Sequence, residues 1–196
     1  MSDRKRCAWA EGQFEEYVKY HDEEWGVPVH DDKVHFEFLI LEGAQAGLSW
    51  ATVLRKRAGY REAFANFKVE KVAGFGEKRI QELMVFDGII KNQLKIRATV
   101  NNAQRFLEIQ EEFNGFDNYI WRFVDGKPIV NEWKGMSEVP ATTKESDTLS
   151  KDLKKRGFKF VGSTIIYAYM QACGLVNDHT IDCFRYKELQ KKGTTQ

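Results

Sequence analysis

Apolar residues recur every three or four positions in short segments along most of this chain, and apolar–polar alternation never lasts beyond four or five residues. The first spacing is typical of amphipathic helices, whereas a half-buried strand requires sustained alternation. Many short helices with many joints do not suit a simple four-helix bundle. The pattern therefore predicts an all-α fold, a compact helical globule of two lobes with a cleft where the lobes meet.

The helical segments are separated by glycine-containing or polar turns. They span residues 13–25, 32–47, 48–64, 69–75, 77–86, 89–113, 118–124, 145–158 and 161–176. Asp32 is placed to cap the second segment and Ser49 to cap the third, because short polar side chains accept hydrogen bonds from the free amides of a helix start. Residues 125–143 have turn-forming composition and little periodicity, which indicates an ordered loop.

Length, charge and cysteine content narrow the class of protein. The 196 residues include three Pro and no Gly/Ser tract, which favours one domain over residues 1–196. A net charge of +1 gives no overall positive field, so an anionic partner must be met by a local patch. No apolar run is long enough to span a membrane, and the first residues lack the apolar stretch of a secretory signal. Three cysteines far apart in the sequence are poorly suited to forming disulfides, so we expect a cytoplasmic protein. A monomer is the default expectation for its oligomeric state.

Potential metal ligands lie near both ends of the chain. They are Cys7, His21, His179 and Cys183. His179 and Cys183 are four residues apart and would share one face of a helical turn. Two thiolates and two imidazoles form the closed tetrahedral set of a structural zinc, with no position left for a catalytic water. Such an ion would join residues of about 1–30 and 145–196 into one lobe. On spacing alone, a tail thiol and ordinary polar histidines are an equal alternative, and Cys173 is expected to be a buried free thiol.

A single carboxylate, Glu42, interrupts the apolar stretch FLILEGAQAGLSW at residues 38–50. An unpaired buried carboxylate destabilises a fold, so acids in such surroundings are usually functional. Small residues follow Glu42, and Trp50 lies eight positions further on. Further rings cluster near the first metal ligands, at Trp9, Tyr17, Tyr20 and Trp25. Rings above and below with a carboxylate at the edge can hold a flat ligand; rings in the core and an exposed Glu42 are the alternative.

Residues of about 76–113 resemble a helix-hairpin-helix motif with its turn at Asp87-Gly88. Amides after Gly88, with Lys91 and Lys95 nearby, would suit a DNA phosphate. The turn reads Gly-Ile-Ile and lacks the usual second glycine, so a plain helical hairpin is an equal alternative. Leu48, at the tip of a turn after Gly47, is suited to wedge between bases. The lysine-rich stretch 151–159 is either a second anionic-partner patch or a solvated helix end.

These features occur within stretches that resemble the 3-methyladenine DNA glycosylase I family nearly from end to end. The stretches are RCAW (6–9), YHDEEWGVP (20–28), LEGAQAGLSWATVLRKR (41–57), DGIIKNQLKI (87–96) and LKKRGFKFVGSTIIYAYMQACGLVNDH (153–179). The resemblance implies a helix-hairpin-helix glycosylase that excises 3-methyladenine from alkylated double-stranded DNA and leaves an abasic site. It also implies one structural zinc at Cys7, His21, His179 and Cys183.

The resemblance further implies roles for the acidic and aromatic residues. Glu42, as the catalytic residue, and Tyr20 would contact the base edge, Trp50 would stack on the base, and Trp9, Tyr17 and Trp25 would line the pocket. Many glycosylases of this superfamily use an Asp beyond the hairpin, which this family lacks, so the roles of Asp117 and Asp125 stay open. A zinc-stabilised damage sensor without turnover is the alternative function, and a metal-dependent nucleotide hydrolase is disfavoured by the closed ligand set.

Overall fold

A computed structural model describes residues 4–192 of the chain, without the side chains of residues 191 and 192, and it is mostly helical. The ends of the predicted range 1–196 lie outside the described residues. The α-helices are α1 Glu15–Lys19, α2 Asp32–Gln45, α3 Trp50–Arg55, α4 Arg57–Ala63, α5 Val69–Ala73, α6 Glu77–Val85, α7 Gln93–Phe113, α8 Phe116–Ile120, α9 Lys144–Lys155, α10 Ser163–Ala172 and α11 Phe184–Lys192. A π-helix, Tyr20–Glu24, continues α1. Short 3-10 turns lie at Ala8–Ala10, Ala65–Phe67, Trp121–Val124 and Met136–Glu138.

Helix α2 lies at the centre of the fold, where α3, α7, α8 and α10 pack around it. Every residue from 35 to 44 is buried, which explains why its apolar residues are not confined to one side. The cap is Asp31, which accepts from the Val34 amide, one residue before the predicted cap. Asp32 instead accepts from the amides of Phe116 and Asp117, both at 2.8 Å, and so caps α8. The side chain of Asp32, which the local pattern assigned to the start of α2, is therefore used in a tertiary contact with α8.

The turn between α2 and α3 forms as predicted. Gly47 has a φ of +77°, which glycine adopts without a steric cost. Leu48 lies at the tip and is 42% exposed. Ser49 caps α3 by accepting from the Thr52 amide at 3.2 Å. The predicted single helix over 48–64 divides at Lys56 into α3 and α4.

The mostly helical structure agrees with the all-α prediction, with two features that were not predicted and one further wrong prediction. The unpredicted features are helix α11 and a short parallel pair of β1 (Ile129–Val130) and β2 (Val176–Asn177), in the register Ile129↔Val176. His179 and Cys183 do not share a helical turn: they flank a non-helical turn in which the Cys183 amide donates to the Thr180 carbonyl, and α11 begins only at the next residue.

Among residues 4–192, no helix combines the length and apolar character needed to cross a membrane.

Candidate functional site

The four predicted metal ligands converge in the structure. Cys7, His21, His179 and Cys183 are all buried, and their ligand atoms lie within 4.8 Å of one another. Cys7 Sγ is 3.5 Å from His179 Nδ1, and Cys183 Sγ is 3.5 Å from His21 Nε2 and 3.4 Å from His179 Nδ1. Residues from both ends of the described chain therefore form one group that could hold a metal ion.

Hydrogen bonds behind the cluster orient both imidazoles. His21 Nδ1 lies 2.8 Å from Asp22 Oδ1, and His179 Nε2 lies 3.0 Å from the carbonyl oxygen of Trp25. Each ring donates outward through one nitrogen, which leaves the lone pair of the other nitrogen facing the thiols. Arg6 holds Asp22 through three contacts of 2.7–3.0 Å. The outer shell thus has the form found around metal-bound histidines.

The two thiols favour one ionised and one protonated partner. A hydrogen bond from Cys7, followed by the close approach of His179 and His21, lowers the pKa of Cys183 despite burial. The pKa of Cys7 is raised by the same hydrogen bond and by burial. A thiolate beside two imidazole nitrogens in a buried cluster is a set of side chains suited to binding a metal ion.

The π-helix connects this cluster to the aromatic residues. Tyr20 and His21 are its first two residues, so the peptide that presents His21 to the thiols also places the Tyr20 ring. Single π-turns are often found at functional sites. Trp25 follows the π-helix, and its ring lies 4.6 Å from that of His179. Any ion bound by the cluster would therefore also fix the positions of Tyr20 and Trp25.

Glu42 lies inside the protein with no partner for its charge. It is 4% exposed and makes no hydrogen bond or ion pair with any residue of the described part of the chain. Burial raises the pKa of Glu42 to about 8. Burial and then the charge of Glu42 raise the pKa of both Tyr17 and Tyr20, so the carboxyl lies near enough to both phenols for its charge to act on them. The prediction that Glu42 lies in apolar surroundings is confirmed.

Trp50 is the second buried polar side chain without a partner. It is the first residue of α3, is 9% exposed, and its Nε1–H meets no acceptor. Its ring is tilted by 46° against Tyr20, with 5.1 Å between centroids. A buried donor without an acceptor costs about 1–3 kcal/mol. Glu42 and Trp50 are thus two buried polar groups without partners: the Trp50 ring packs on Tyr20, and the charge of Glu42 raises the pKa of the same tyrosine.

The remaining predicted rings form a cluster with Trp9 at its centre. The Trp9 ring lies 5.0 Å from Trp25 and 5.6 Å from Tyr17, both edge to face, and 6.4 Å from Tyr20. Edge-to-face pairs are a favoured aromatic arrangement. The structure therefore brings all five predicted base-binding rings together, and the charge of Glu42 raises the pKa of two of them, Tyr17 and Tyr20.

The predicted DNA-binding residues occupy different environments. Residues 86–92 join α6 to α7, and Gly88 packs against Gly59 so closely that a Cβ on Gly59 would lie 2.1 Å from the Gly88 carbonyl oxygen. Lys91 pairs with Asp87 at the surface. Lys95 turns inward: its ammonium donates to the carbonyls of Ala44 at 2.8 Å and Ala46 at 2.7 Å. Of these lysines, only Lys91 presents its charge to solvent.

Sequence reasoning missed a buried ion-pair network beside the site. Arg57 donates to Glu37 at 2.6 Å and to Glu24, the last residue of the π-helix, at 2.8 Å. Arg61 also pairs with Glu37 at 2.8 Å. Glu37 lies between Phe36 and Phe38, so the rule that singled out Glu42, an acid in an apolar helix, applies to it as well. The network ties the π-helix to α2 and α4.

The acids beyond the hairpin lie away from Glu42. Asp117 bonds both His30 at 3.1 Å and the buried His35 at 3.2 Å, near the start of α2. Glu42 lies seven residues after His35, which is about 10 Å along the helix axis. Asp125 is exposed in a turn with a φ of +54°. Cys173 is a buried free thiol, as predicted.

Comparisons with known proteins identify the family of this chain. The family model described as methyladenine glycosylase matches residues 9–186. The chain is 49% identical over 182 residues to DNA-3-methyladenine glycosylase 1 of Escherichia coli K12, covering 93% of this chain and 97% of that protein. It is 47% identical over 178 residues to DNA-3-methyladenine glycosylase of Haemophilus influenzae, covering 91% and 96%.

Solved structures show the same likeness. A crystal structure of 3-methyladenine DNA glycosylase I superposes with a TM-score of 0.89 at 47% identity, covering 92% of this chain and 98% of that one. The structure of 3-methyladenine DNA glycosylase I from Staphylococcus aureus, solved to explain its recognition of 3-methyladenine, superposes with a TM-score of 0.89 at 38% identity. The match covers 93% of this chain and 97% of that one.

Proposed function

This chain belongs to the methyladenine glycosylase family, and we propose that it is a base-excision DNA glycosylase. It hydrolyses the N-glycosidic bond of 3-methyladenine in alkylated double-stranded DNA and leaves an abasic site. The relatives at 47–49% identity carry the name of this activity. The single observation that carries the proposal is the buried, unpaired carboxyl of Glu42, close enough to Tyr20 for its charge to raise the pKa of that phenol.

The chemistry of the substrate explains what the site must supply. Methylation at N3 makes adenine cationic, so the glycosidic bond is already weak and the base departs as a neutral molecule. A strong general acid is therefore unnecessary. The protein must take the nucleotide out of the duplex and recognise the charge that marks the damage.

Glu42 supplies the opposite charge. At about 4 Å and an effective dielectric constant near 20, a pair of unit charges attracts by about 4 kcal/mol before desolvation is counted. Trp50 stacks on the cationic ring and adds on the order of 1–2 kcal/mol. Unmodified adenine lacks the charge and would leave the carboxylate unpaired, which disfavours its entry. Tyr20 meets the base edge, while Trp9, Tyr17 and Trp25 enclose the site.

The buried cluster of two thiols and two imidazoles suits a structural zinc. Tetrahedral Zn–S and Zn–N bonds place sulfur and nitrogen ligands about 3.6 Å apart, close to the 3.4–3.5 Å separations of the four side chains. Four protein ligands close the coordination sphere, so the ion stabilises the fold and supplies no water to the reaction. Cys7 and His21 on one side and His179 and Cys183 on the other would hold it and so keep Tyr20 in place.

DNA is held by the surface around the hairpin. The amides after Gly88 and the exposed Lys91 suit a phosphate, as in a helix-hairpin-helix motif. Leu48 wedges into the base stack while the nucleotide is extruded. We assign the protein to the cytoplasm, in keeping with its three free cysteines, and propose that it acts as a monomer.

The experiment that tests the function is chromatographic detection of free base released from methylated duplex DNA. Native protein should release 3-methyladenine, and Glu42→Gln should do so at least tenfold more slowly. Glu70→Gln, on the exposed face of α5, is the matched control and should behave as native. Tight binding to methylated DNA by the native protein without base release would refute the proposal and favour a damage sensor.

A further inference from the structure

The ammonium of Lys95 is bound to backbone carbonyls inside the protein, a position that a contact with a DNA phosphate does not explain. Lys95 is the third residue of α7, and its backbone amide is capped by the side chain of Asn92 at 3.1 Å. A cation in the first turn of a helix is disfavoured by that helix's own dipole. Its charge must therefore be compensated elsewhere.

That compensation comes from the end of α2. The last four carbonyls of a helix have no partner within the helix, and they form the negative end of its dipole. The Lys95 ammonium binds two carbonyls at this end, those of Ala44 at 2.8 Å and Ala46 at 2.7 Å. Partial burial lowers the pKa of Lys95, as expected for a lysine drawn from water into a protein contact.

The two carbonyls lie between the residues that meet the base and the DNA. Ala44 follows Glu42 by two residues, and Ala46 precedes the Gly47–Leu48 turn. Helix α3, which follows that turn, is also tied to the hairpin at its far end, because Lys56, just after α3, donates to the Asp87 carbonyl at 2.9 Å. The hairpin thus contacts the end of the helix before the turn and the end of the helix after it.

We propose that Lys95 is a positioning residue, whose ammonium joins the end of the Glu42 helix and the Leu48 turn to the DNA-binding hairpin. The inference rests on the proposed glycosylase function. When the hairpin holds the phosphates, this contact sets the distance from the DNA to the carboxylate and to the wedge. Lys95 acts through these elements and touches no substrate itself.

The test compares Lys95→Met with two other lysine variants on methylated duplex DNA. One assay measures the rate of 3-methyladenine release in a single turnover at saturating protein; the other measures the affinity for a duplex with a stable abasic-site analogue across a range of salt concentrations. Lys95→Met should slow release at least about tenfold, because misplacement by 1 Å can have a larger effect than this. The salt dependence of affinity should stay native. Lys71→Met, exposed on α5 and outside the hairpin region, controls for loss of one positive charge.

Lys91→Met serves as the reference for loss of a phosphate contact. It should weaken binding and reduce the slope of log affinity against log salt concentration by about 0.9. The same signature in Lys95→Met, with release at the native rate, would overturn the proposal. Lys95→Gln retains a neutral donor and decides the question if the Met variant does not fold: slow release with a native salt slope supports the proposal, and native release overturns it. Absence of release by the native protein would instead refute the function itself.

Discussion

Glu42→Gln removes a buried charge while keeping the size of the side chain, and we expect opposite effects on stability and activity. An acid whose pKa is higher in the folded than in the unfolded protein retains a proton that the unfolded chain loses. For Glu42 this difference in protonation exists between pH 4.5, its ordinary pKa, and about pH 8, its pKa in the folded protein. Stability contributed by this group therefore falls as pH rises through that window, and the full penalty is present above pH 8.

The magnitude follows from the width of the window. A pKa raised from 4.5 to about 8 corresponds to at most about 5 kcal/mol. A buried glutamine amide without partners gives back about 1–3 kcal/mol of that. We therefore expect Glu42→Gln to be more stable than native protein by about 2–4 kcal/mol at pH 8.5, or roughly 4–16 °C in Tm. Near pH 4.5 this advantage should disappear and the variant should be less stable by up to about 3 kcal/mol, because Glu42 is then protonated in the folded protein and only the cost of the buried amide remains.

Urea unfolding followed by circular dichroism at the two pH values measures this difference, with Glu70→Gln as the control. In the same variant, release of 3-methyladenine should fall at least tenfold. Native activity at low DNA concentration should rise with pH up to about 8, as Glu42 ionises, and this rise should be absent from Glu42→Gln. If Glu42→Gln is no more stable than native at pH 8.5, the carboxyl is better solvated than its burial indicates, and the reasoning fails.

Three further changes test other parts of the site. Trp50→Ala should lower 3-methyladenine release at least tenfold and leave the helical signal intact; full activity would remove Trp50 from base recognition. Cys183→Ser should lose stoichiometric zinc and lower Tm, whereas Cys173→Ser should keep its metal, as measured by elemental analysis; native protein without metal after a chelator wash would end the zinc proposal. Lys91→Glu should weaken binding to methylated duplex and make it less dependent on salt, and unchanged binding would exclude a phosphate contact there.

Local patterns predicted most helices because each carries its own spacing of apolar residues and its own stop signals. Ser49 is a clear case, since its cap depends only on the following three residues. Asp32 is the opposite case: its neighbour Asp31 caps α2, and Asp32 bonds the start of α8 more than eighty residues away. No local rule distinguishes two adjacent aspartates whose partners depend on the tertiary fold.

The site was predictable where its chemistry is unusual for its surroundings. Glu42 stood out because a lone acid in an apolar helix is costly, and the structure buries it unpaired. The inward position of the Lys95 ammonium was not predicted, because a lysine near a hairpin is expected to face DNA. Only the fold shows this ammonium against the carbonyls of Ala44 and Ala46. The π-helix at Tyr20 likewise depends on packing, and its spacing has no distinct sequence pattern.

The central claim is that the site recognises a positive charge on an extruded purine. The most direct measurement compares native protein and Glu42→Gln on two duplexes, one with 3-methyladenine and one with 3-deaza-3-methyladenine, a neutral molecule of the same shape. The account predicts that Glu42→Gln slows release of the cationic base at least tenfold and binds the neutral duplex within about twofold of native. If Glu42→Gln weakened binding to the neutral duplex by the same factor as it slowed release of the cationic base, Glu42 would recognise shape or hydrogen bonding. That result would contradict recognition by charge.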